Sequence, residues 1–297
     1  MSKLTKALTA AAGNAGGDNL YVEDVFSTYL YTGEDANKNV TNGIDLSGEG
    51  GFVWIKPRTT TGSHLLFDTE RGTGKYLVSS SANAEATYNP YLSSFNSDGF
   101  TTFAFAPADY VSWSFRKAEK FFDVVTYTGN GSNRTISHSL GSVPGFIVVK
   151  RTDASGNSWY CYHSSLGNTK RILLSESDPE GTDSTVWNST TPTDSVFSLG
   201  TNVNVNASGG SYVAYLFASD AGGYGDDGSE SIIKCGSYTG TGSATVANHV
   251  ELGFEPQYWI IKNTTRAADW WCIDTMRGAA YGATARLFPN TSGAEVS

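Results

Sequence analysis

Phe52-Val53-Trp54-Ile55 is apolar at four successive positions and closes on Lys56, the pattern of a central strand buried on both faces. His64-Leu65-Leu66-Phe67 predicts the following strand, and Arg71-Gly72-Thr73-Gly74 a turn. Asp98-Gly99 before Phe100-Thr101-Thr102-Phe103 is a hairpin signal. Tyr110-Val111-Ser112-Trp113-Ser114-Phe115 then sets aromatic against small polar residues with the period of two that marks a half-buried strand. Leu4, Leu8 and Ala12 instead recur at helical spacing, and Gly13-Asn14-Ala15-Gly16-Gly17-Asp18 ends that helix. So short a helix is marginal alone and is expected to dock on a partner.

The strand pattern returns along the chain. Tyr31-Thr32-Gly33, Tyr127-Thr128-Gly129 and Tyr238-Thr239-Gly240 open three copies. Phe146-Ile147-Val148-Val149-Lys150 and Trp259-Ile260-Ile261-Lys262 repeat the apolar strand closed by lysine. The tyrosine-to-lysine separations are 25, 23 and 24 residues, and Asp68 and Asp274 each follow their lysine by 12. Leu140-Gly141-Ser142-Val143-Pro144 and Leu252-Gly253-Phe254-Glu255-Pro256 share a turn that the first copy loosens to Leu46-Ser47-Gly48. Copies about 100 residues apart are too long for a solenoid and long enough for small cores of their own. The expected organisation is an anchoring segment over 1–25, modules over 26–117, 118–218 and 229–297, and a Gly-rich linker over 219–228 that lets the third module reorient.

The third copy stops early. Tyr110–Phe115 and Tyr212–Phe217 close the first two modules, and no such strand follows Tyr238. An open apolar face and an unpaired edge are expected there, with the natural chain continuing at least about 30 residues beyond Ser297.

Composition supports an all-β chain. Thirty-three Gly with abundant Ser, Thr and Asn require frequent turns, while 16 Tyr, 15 Phe and 7 Trp supply buried area for small cores. The formal charge of −9 without a basic cluster argues against nucleic acid. No apolar run approaches the roughly 20 residues of a membrane helix, so no membrane insertion is expected. The three cysteines do not form a closed disulfide set. Cys161, Cys272 and Leu66 fall at one place in the repeat, which reads as a small buried apolar position and points to folding in a reducing cytoplasm.

Chemistry is sparse. His64, His138, His163 and His249 lack zinc-site spacing, no serine sits in a nucleophile elbow, and no cofactor is called for. Glu176-Ser177-Asp178-Pro179-Glu180 holds acids, but its proline places it in a loop. Asp226, Asp227 and Glu230 are oxygen donors at a module junction without the alternation of a calcium loop. Lys56, Lys150 and Lys262 read as edge or snorkelling lysines. Asp68-x-x-Arg71-Gly72 and Asp274-x-x-Arg277-Gly278 read as Asx turns with a paired arginine. Trp187, Tyr224 and the pair Trp270-Trp271 cannot all point inward, so Trp187, Trp270 and Trp271 are candidate surface or glycan contacts.

The repeated Tyr-Thr-Gly, Leu-Gly-x-x-Pro, apolar-strand-Lys and Trp-x-x-x-Asp-x-x-Arg-Gly frame, with the segment from Met1, resembles tail-fibre proteins of marine and cyanobacterial phages. Those proteins carry tandem modules of an uncharacterised family with a concanavalin-like jelly-roll fold. The resemblance implies tandem β-sandwich modules without enzymatic activity, in a virion part assembled in the host cytoplasm. Leu4, Leu8 and Ala12 would dock on other tail proteins (adaptor, nozzle or baseplate), and distal modules would meet a host-surface glycan or protein. Self-association as a homotrimer is also implied. A carbohydrate-binding array on a cellular adhesin is the alternative.

Overall fold

A computed structural model describes residues 19–34, 36–88, 91–103, 105–242, 248–279 and 284–297. Leu4, Leu8 and Ala12 lie outside the described residues. The first module contains α1 (Val22–Val25), β1 (Phe26–Thr32), β2 (Lys38–Thr41), β3 (Gly51–Pro57), β4 (Leu65–Asp68), β5 (Lys75–Val78), β6 (Ala86–Thr87), β7 (Ser94–Asn96), β8 (Gly99–Thr102) and β9 (Asp109–Arg116). The second contains β10 (Phe122–Thr128), β11 (Arg134–Ser137), β12 (Phe146–Arg151), β13 (Tyr160–His163), β14 (Lys170–Leu173), β15 (Gly181–Thr182), β16 (Val196–Leu199), α2 (Val203–Asn206) and β17 (Ser211–Phe217). The third contributes β18 (Tyr258–Ile261) and β19 (Trp271–Asp274). The all-β sandwich expectation is met.

Sheet order is the same in both full modules: β1-β9-β3-β4-β5-β6 and β10-β17-β12-β13-β14-β15. A smaller sheet covers one face of each, β2-β8-β7 in the first and β11-β16 in the second. Between the layers lie separate cores, Val40, Val53, Ile55, Phe67 and Phe100 in one and Ile136, Ile147, Val149, Tyr162 and Phe197 in the other. Registers superpose as the sequence repeat predicts. Trp54 opposes Leu66, Val148 opposes Cys161 and Ile260 opposes Cys272. Leu77, Ile172 and Leu287 come next on the far side of those residues.

The other face of each large sheet is also dry. Alternate residues of the same strands, Phe52, Trp54 and Trp113, then Phe146, Val148 and Tyr215, then Cys272 and Leu287, join one buried cluster shared by all three modules. Successive strand residues point to opposite faces, so an uninterrupted apolar strand here feeds two cores. One belongs to its own module and the other to the assembly.

The modules are fastened around this shared core in a closed ring. Residues 79–85, 174–180 and 289–295 leave their modules through a turn as arms, each reaching the next module just after its strand lysine. Glu85 N donates to Thr152 O at 2.8 Å, Glu180 N to Thr264 O at 2.9 Å, and Glu295 N to Arg58 O at 2.8 Å. The return bonds run from Gly156 N to Ala82 O (2.9 Å), Ala268 N to Ser177 O (2.8 Å) and Gly62 N to Ser292 O (2.9 Å). The acceptors Arg58, Thr152 and Thr264 each lie two residues beyond the repeat lysine, and the donors Gly62, Gly156 and Ala268 lie six beyond it. Six equivalent backbone bonds therefore link first to second, second to third and third to first, a pseudo-threefold arrangement within one chain.

The acidic segment Glu176–Glu180 is a loop as expected and serves as an arm of the ring. Two expectations change. The segment 219–228 is held in place, because Tyr224 is buried and donates to Glu119 O at 2.9 Å. The anchoring segment drawn over 1–25 overlaps the fold, since Val25 is buried in the shared core with Leu20 and Val22 against it.

Candidate functional site

Residues singled out from the sequence converge on the joints between modules. Arg71 N and Nε bind the two oxygens of Asp68 at 2.9 and 2.6 Å, and Arg277 repeats this on Asp274 at the same distances. These are the Asx turns with paired arginines that the spacing predicts. Each guanidinium also reaches backward to a strand carbonyl, Leu66 O at 3.0 Å or Cys272 O at 2.9 Å. A glutamate completes each set, Glu85 at 3.0 Å and Glu295 at 3.2 Å. Both aspartate side chains are fully buried, and removing any one partner from such a buried pair is costly.

A neighbouring module then docks on each aspartate. Tyr215 OH of the second module donates to Asp68 Oδ2 at 2.7 Å, and Trp113 Nε1 of the first donates to Asp274 Oδ2 at 3.0 Å. Tyr215 and Trp113 occupy the same place on β17 and β9. The second module has His163 where the others have aspartate, as the registers Phe52–Asp68, Phe146–His163 and Tyr258–Asp274 show.

A second set of joints uses the residue two before the repeat positions Leu66, Cys161 and Cys272. Trp159 Nε1 donates to Val78 O of the first module at 3.0 Å, and Trp270 Nε1 to Leu173 O of the second at 2.9 Å. His64 takes this place in the first module. Its Nδ1 accepts from Trp54 Nε1 at 2.8 Å, and its Nε2 faces the Phe288 carbonyl of the third module without a formed hydrogen bond. Burial, then the charges of Lys56 and Arg277, hold His64 well below the usual histidine range, so it is a neutral part of the interface.

Two of the three lysines, Lys56 and Lys150, are neither edge nor snorkelling residues, while Lys262 follows an edge strand among the described residues and is partly exposed. Lys56 and Lys150 have no exposed surface, and β3 and β12 lie inside their sheets. Each ammonium donates to the carbonyl of the next residue, Lys56 to Pro57 and Lys150 to Arg151 at 2.7 Å, and Lys262 to Asn263 at 2.9 Å. Lys262 also bonds the Ser177 carbonyl of the second module's arm at 3.0 Å. Burial lowers Lys56 and Lys150 to about 8, with Arg277 adding to the effect at Lys56 and Arg151 at Lys150.

That shift has a measurable sign. The unfolded lysine keeps its proton until about pH 10.4 while the folded one releases it near 8, so the burial cost is complete below pH 8 and lifts as pH rises. Relative to Lys56→Met, the unsubstituted chain should therefore gain on the order of 2 kcal/mol between pH 7.5 and 9.5. Urea midpoints of the two chains at both pH values measure this. Comparing them at each pH removes the opposing contribution of Cys235 and Cys272, which burial raises to about 12.

The surface tryptophan expectation is corrected at two of three positions. Trp187 is 1% exposed in the second module's own core, its Nε1 bound to Lys170 O at 3.0 Å. Trp270 is 2% exposed at the joint just described. Neither presents a ring face to a ligand. Trp271, its neighbour on the opposite face of the strand, is 42% exposed with the Arg286 guanidinium 5.1 Å from its ring centroid. Its counterparts Leu65 and Tyr160 are each 8% exposed beneath their small sheets. All four residues of β18 are partly exposed, whereas every residue of β3 is buried. Among the described residues, nothing comparable to the small sheets of the other modules covers the outer face of the third.

The acidic junction is already occupied by protein donors. Tyr21 OH donates to Asp226, and Asp227 Oδ1 accepts from Ser229 N at 2.9 Å and Ser229 Oγ at 2.6 Å. Among the described residues, no cluster of His, Cys, Asp and Glu is arranged to hold a metal ion. The joints themselves were missed as joints by sequence reading. The signal was present, because an Asp-x-x-Arg-Gly frame recurs 12 residues after the lysine in two copies and a tryptophan follows the lysine by 9 and 8 residues in two.

The chain belongs to a family described as a domain of unknown function (DUF7483), and a single match spans residues 22–297 across all three modules. No curated protein and no solved structure matches it.

Proposed function

We propose that the chain is a structural virion protein, a phage tail-fibre component that joins the tail to host-surface recognition. The closed ring carries this reading. Polar constellations of the kind that elsewhere form active sites are here sequestered as fasteners between modules, and the aromatic cluster is spent on a shared core. Such construction favours rigidity and resistance to unfolding over chemistry. A pseudo-threefold body also suits an axial fibre with threefold neighbours, whether the chain self-associates as a homotrimer or seats singly on an adaptor, nozzle or baseplate. Leu4, Leu8 and Ala12 are the docking residues in this reading, in a virion assembled in the host cytoplasm, and the modules have a concanavalin-like jelly-roll ancestry.

Peptide mass spectrometry on particles purified from a lysate of the encoding phage tests the proposal. The chain should be present at a fixed number of copies per tail, and deletion of residues 1–18 should leave a folded ring absent from particles. Particles lacking the intact chain, or normal incorporation of the deletion variant, would contradict the proposal and its docking claim respectively.

Trp271 favours a second reading as a carbohydrate-binding array, since an exposed indole beside an arginine can stack on a sugar face. Trp271→Ala should then abolish glycan-array signals without lowering the melting temperature.

A further inference from the structure

We propose that the seam between the first and third modules is an acid-operated latch: a proton taken up at His64 Nδ1 opens that seam while the other two stay closed, so that the ring becomes three modules linked in series. The seams differ in one place. Trp159 spans the seam between the first and second modules and Trp270 the seam between the second and third, each through an indole N–H on a carbonyl of its neighbour. His64 stands at that place in the first module and faces the Phe288 carbonyl of the third.

The exchange is compensated on the adjacent strand. Trp54 holds the β3 position that Val148 and Ile260 hold in β12 and β18, as their registers with Leu66, Cys161 and Cys272 show. Two modules therefore pair an aliphatic residue with a tryptophan, and the first pairs a tryptophan with a histidine. An indole nitrogen is a donor only, whereas an imidazole takes up a proton in mildly acidic water.

Hydrogen-bond geometry fixes what that proton does. Trp54 Nε1 lies 2.8 Å from His64 Nδ1, so Nδ1 is the acceptor and the ring hydrogen sits on Nε2, toward Phe288. A second proton has to enter at Nδ1, where it confronts the Trp54 N–H and turns a hydrogen bond into two opposed donors. Water does not reach the ring. His64 has no exposed surface, and Trp54, 5.6 Å away between ring centroids, packs in turn on Trp113 at 5.9 Å.

The charges that bear on the ring are both positive, Lys56 from β3 and Arg277 from the turn after β19. The carboxylates of this seam are committed elsewhere, Asp274 to Arg277 and Trp113, and Glu295 to Arg58 and Arg277. An imidazolium is therefore accommodated only after the third module has moved away. Burial and the two cations hold the closed-ring imidazole well below the usual histidine range. A base shifted this way contributes its full stability above the unfolded value, near 6.5, and loses it as pH falls below that value. With one proton taken up per opening, the opening equilibrium rises by up to about tenfold for each pH unit below that point. The inference concerns the ring alone and is independent of the virion reading.

Hydrogen exchange of the full 297-residue chain, corrected for intrinsic rates, tests the latch at neutral and acid pH. Between pH 7.5 and 4.5, opening at the Gly62 and Glu295 amides, which close this seam, should increase by about fiftyfold. The Glu85, Gly156, Glu180 and Ala268 amides of the other seams should change far less. His64→Asn keeps an acceptor for Trp54 and takes up no proton, and Trp54→Val with His64→Trp recreates the pairing of the sister modules. In both variants the acid-driven excess at Gly62 and Glu295 should vanish. The other histidines and the seam carboxylates are common to all three chains and set the baseline. If His64→Asn does not fold, the double variant decides. Nitrogen-15 resonances of labelled histidine in the unsubstituted chain add a direct reading, with His64 neutral and its hydrogen on Nε2 while the seam is closed. No acid-driven excess at this seam, equal acceleration at all three seams, the same excess in a folded variant, or titration of His64 near pH 6.5 with the seam closed would each overturn the proposal.

Discussion

Asp274→Ala is expected to lower the unfolding free energy by about 3–5 kcal/mol, because it removes the nearer carboxylate of a buried pair and leaves the Arg277 guanidinium with Glu295 alone as counter-ion. It also removes the acceptor of Trp113 Nε1, a bond between the third module and the first. Two features separate this from an ordinary local defect. Hydrogen exchange should accelerate around Trp113 in the first module as well as around Asp274. In the double variant Asp274→Ala with Arg277→Met, most of the lost stability should return, since the under-compensated buried charge rather than the missing bond dominates the cost. Urea denaturation of the single and double variants decides the matter, and a loss under 1 kcal/mol would show the pair to be solvated.

Trp270→Ala should cost about 3–5 kcal/mol, the usual consequence of deleting a fully buried tryptophan. The ring lies in the shared core near Phe146, with centroids 6.4 Å apart, and its Nε1 bonds Leu173 O of the second module. Trp271→Ala, one residue on, should change stability by no more than about 0.5 kcal/mol, because its ring is half out in solvent. Chemical unfolding of the two variants side by side tests the assignment of faces. Equal effects would mean that the strand register is wrong.

The contrast between these neighbours shows how far the sequence could be read. Adjacent strand residues must face opposite ways, so Trp270-Trp271 announced one buried and one exposed ring, but not which. The shared place of Leu66, Cys161 and Cys272 did identify a buried apolar position, and both cysteines are buried. Phe52 to Ile55 announced a strand covered on both faces without saying by what. One cover is the module's own small sheet, which local hairpin signals suggested. The other is the remaining two modules, brought in by arms that bond residues such as Gly62 and Ser292, far apart in the chain. Backbone bonds of that kind leave no trace in side-chain pattern. For the same reason, Lys56 looked like an edge lysine. Its strand ends at the ring joint, where the neighbouring module removes the water an edge would have had.

The site was less legible than the fold. Asp68, Arg71, Asp274 and Arg277 were recognisable as turns, yet their docking by Tyr215 and Trp113 depends on contacts between modules. Trp187 misled because a tryptophan among Ser, Thr and Asn residues resembles a loop ornament. It is instead folded back onto Tyr162, with ring centroids 5.9 Å apart.

Ring closure is the central claim, and a distance between the first and third modules tests it most directly. Spin labels at the exposed positions Thr60 and Ser292 flank the joint formed by Gly62 N and Ser292 O. Double electron–electron resonance on the intact chain should return one short, narrow distance that Glu295→Ala broadens, because Glu295 holds both Arg58 and Arg277 there. A long or broad distribution in the unsubstituted chain would mean that the modules hang in series and that no ring exists.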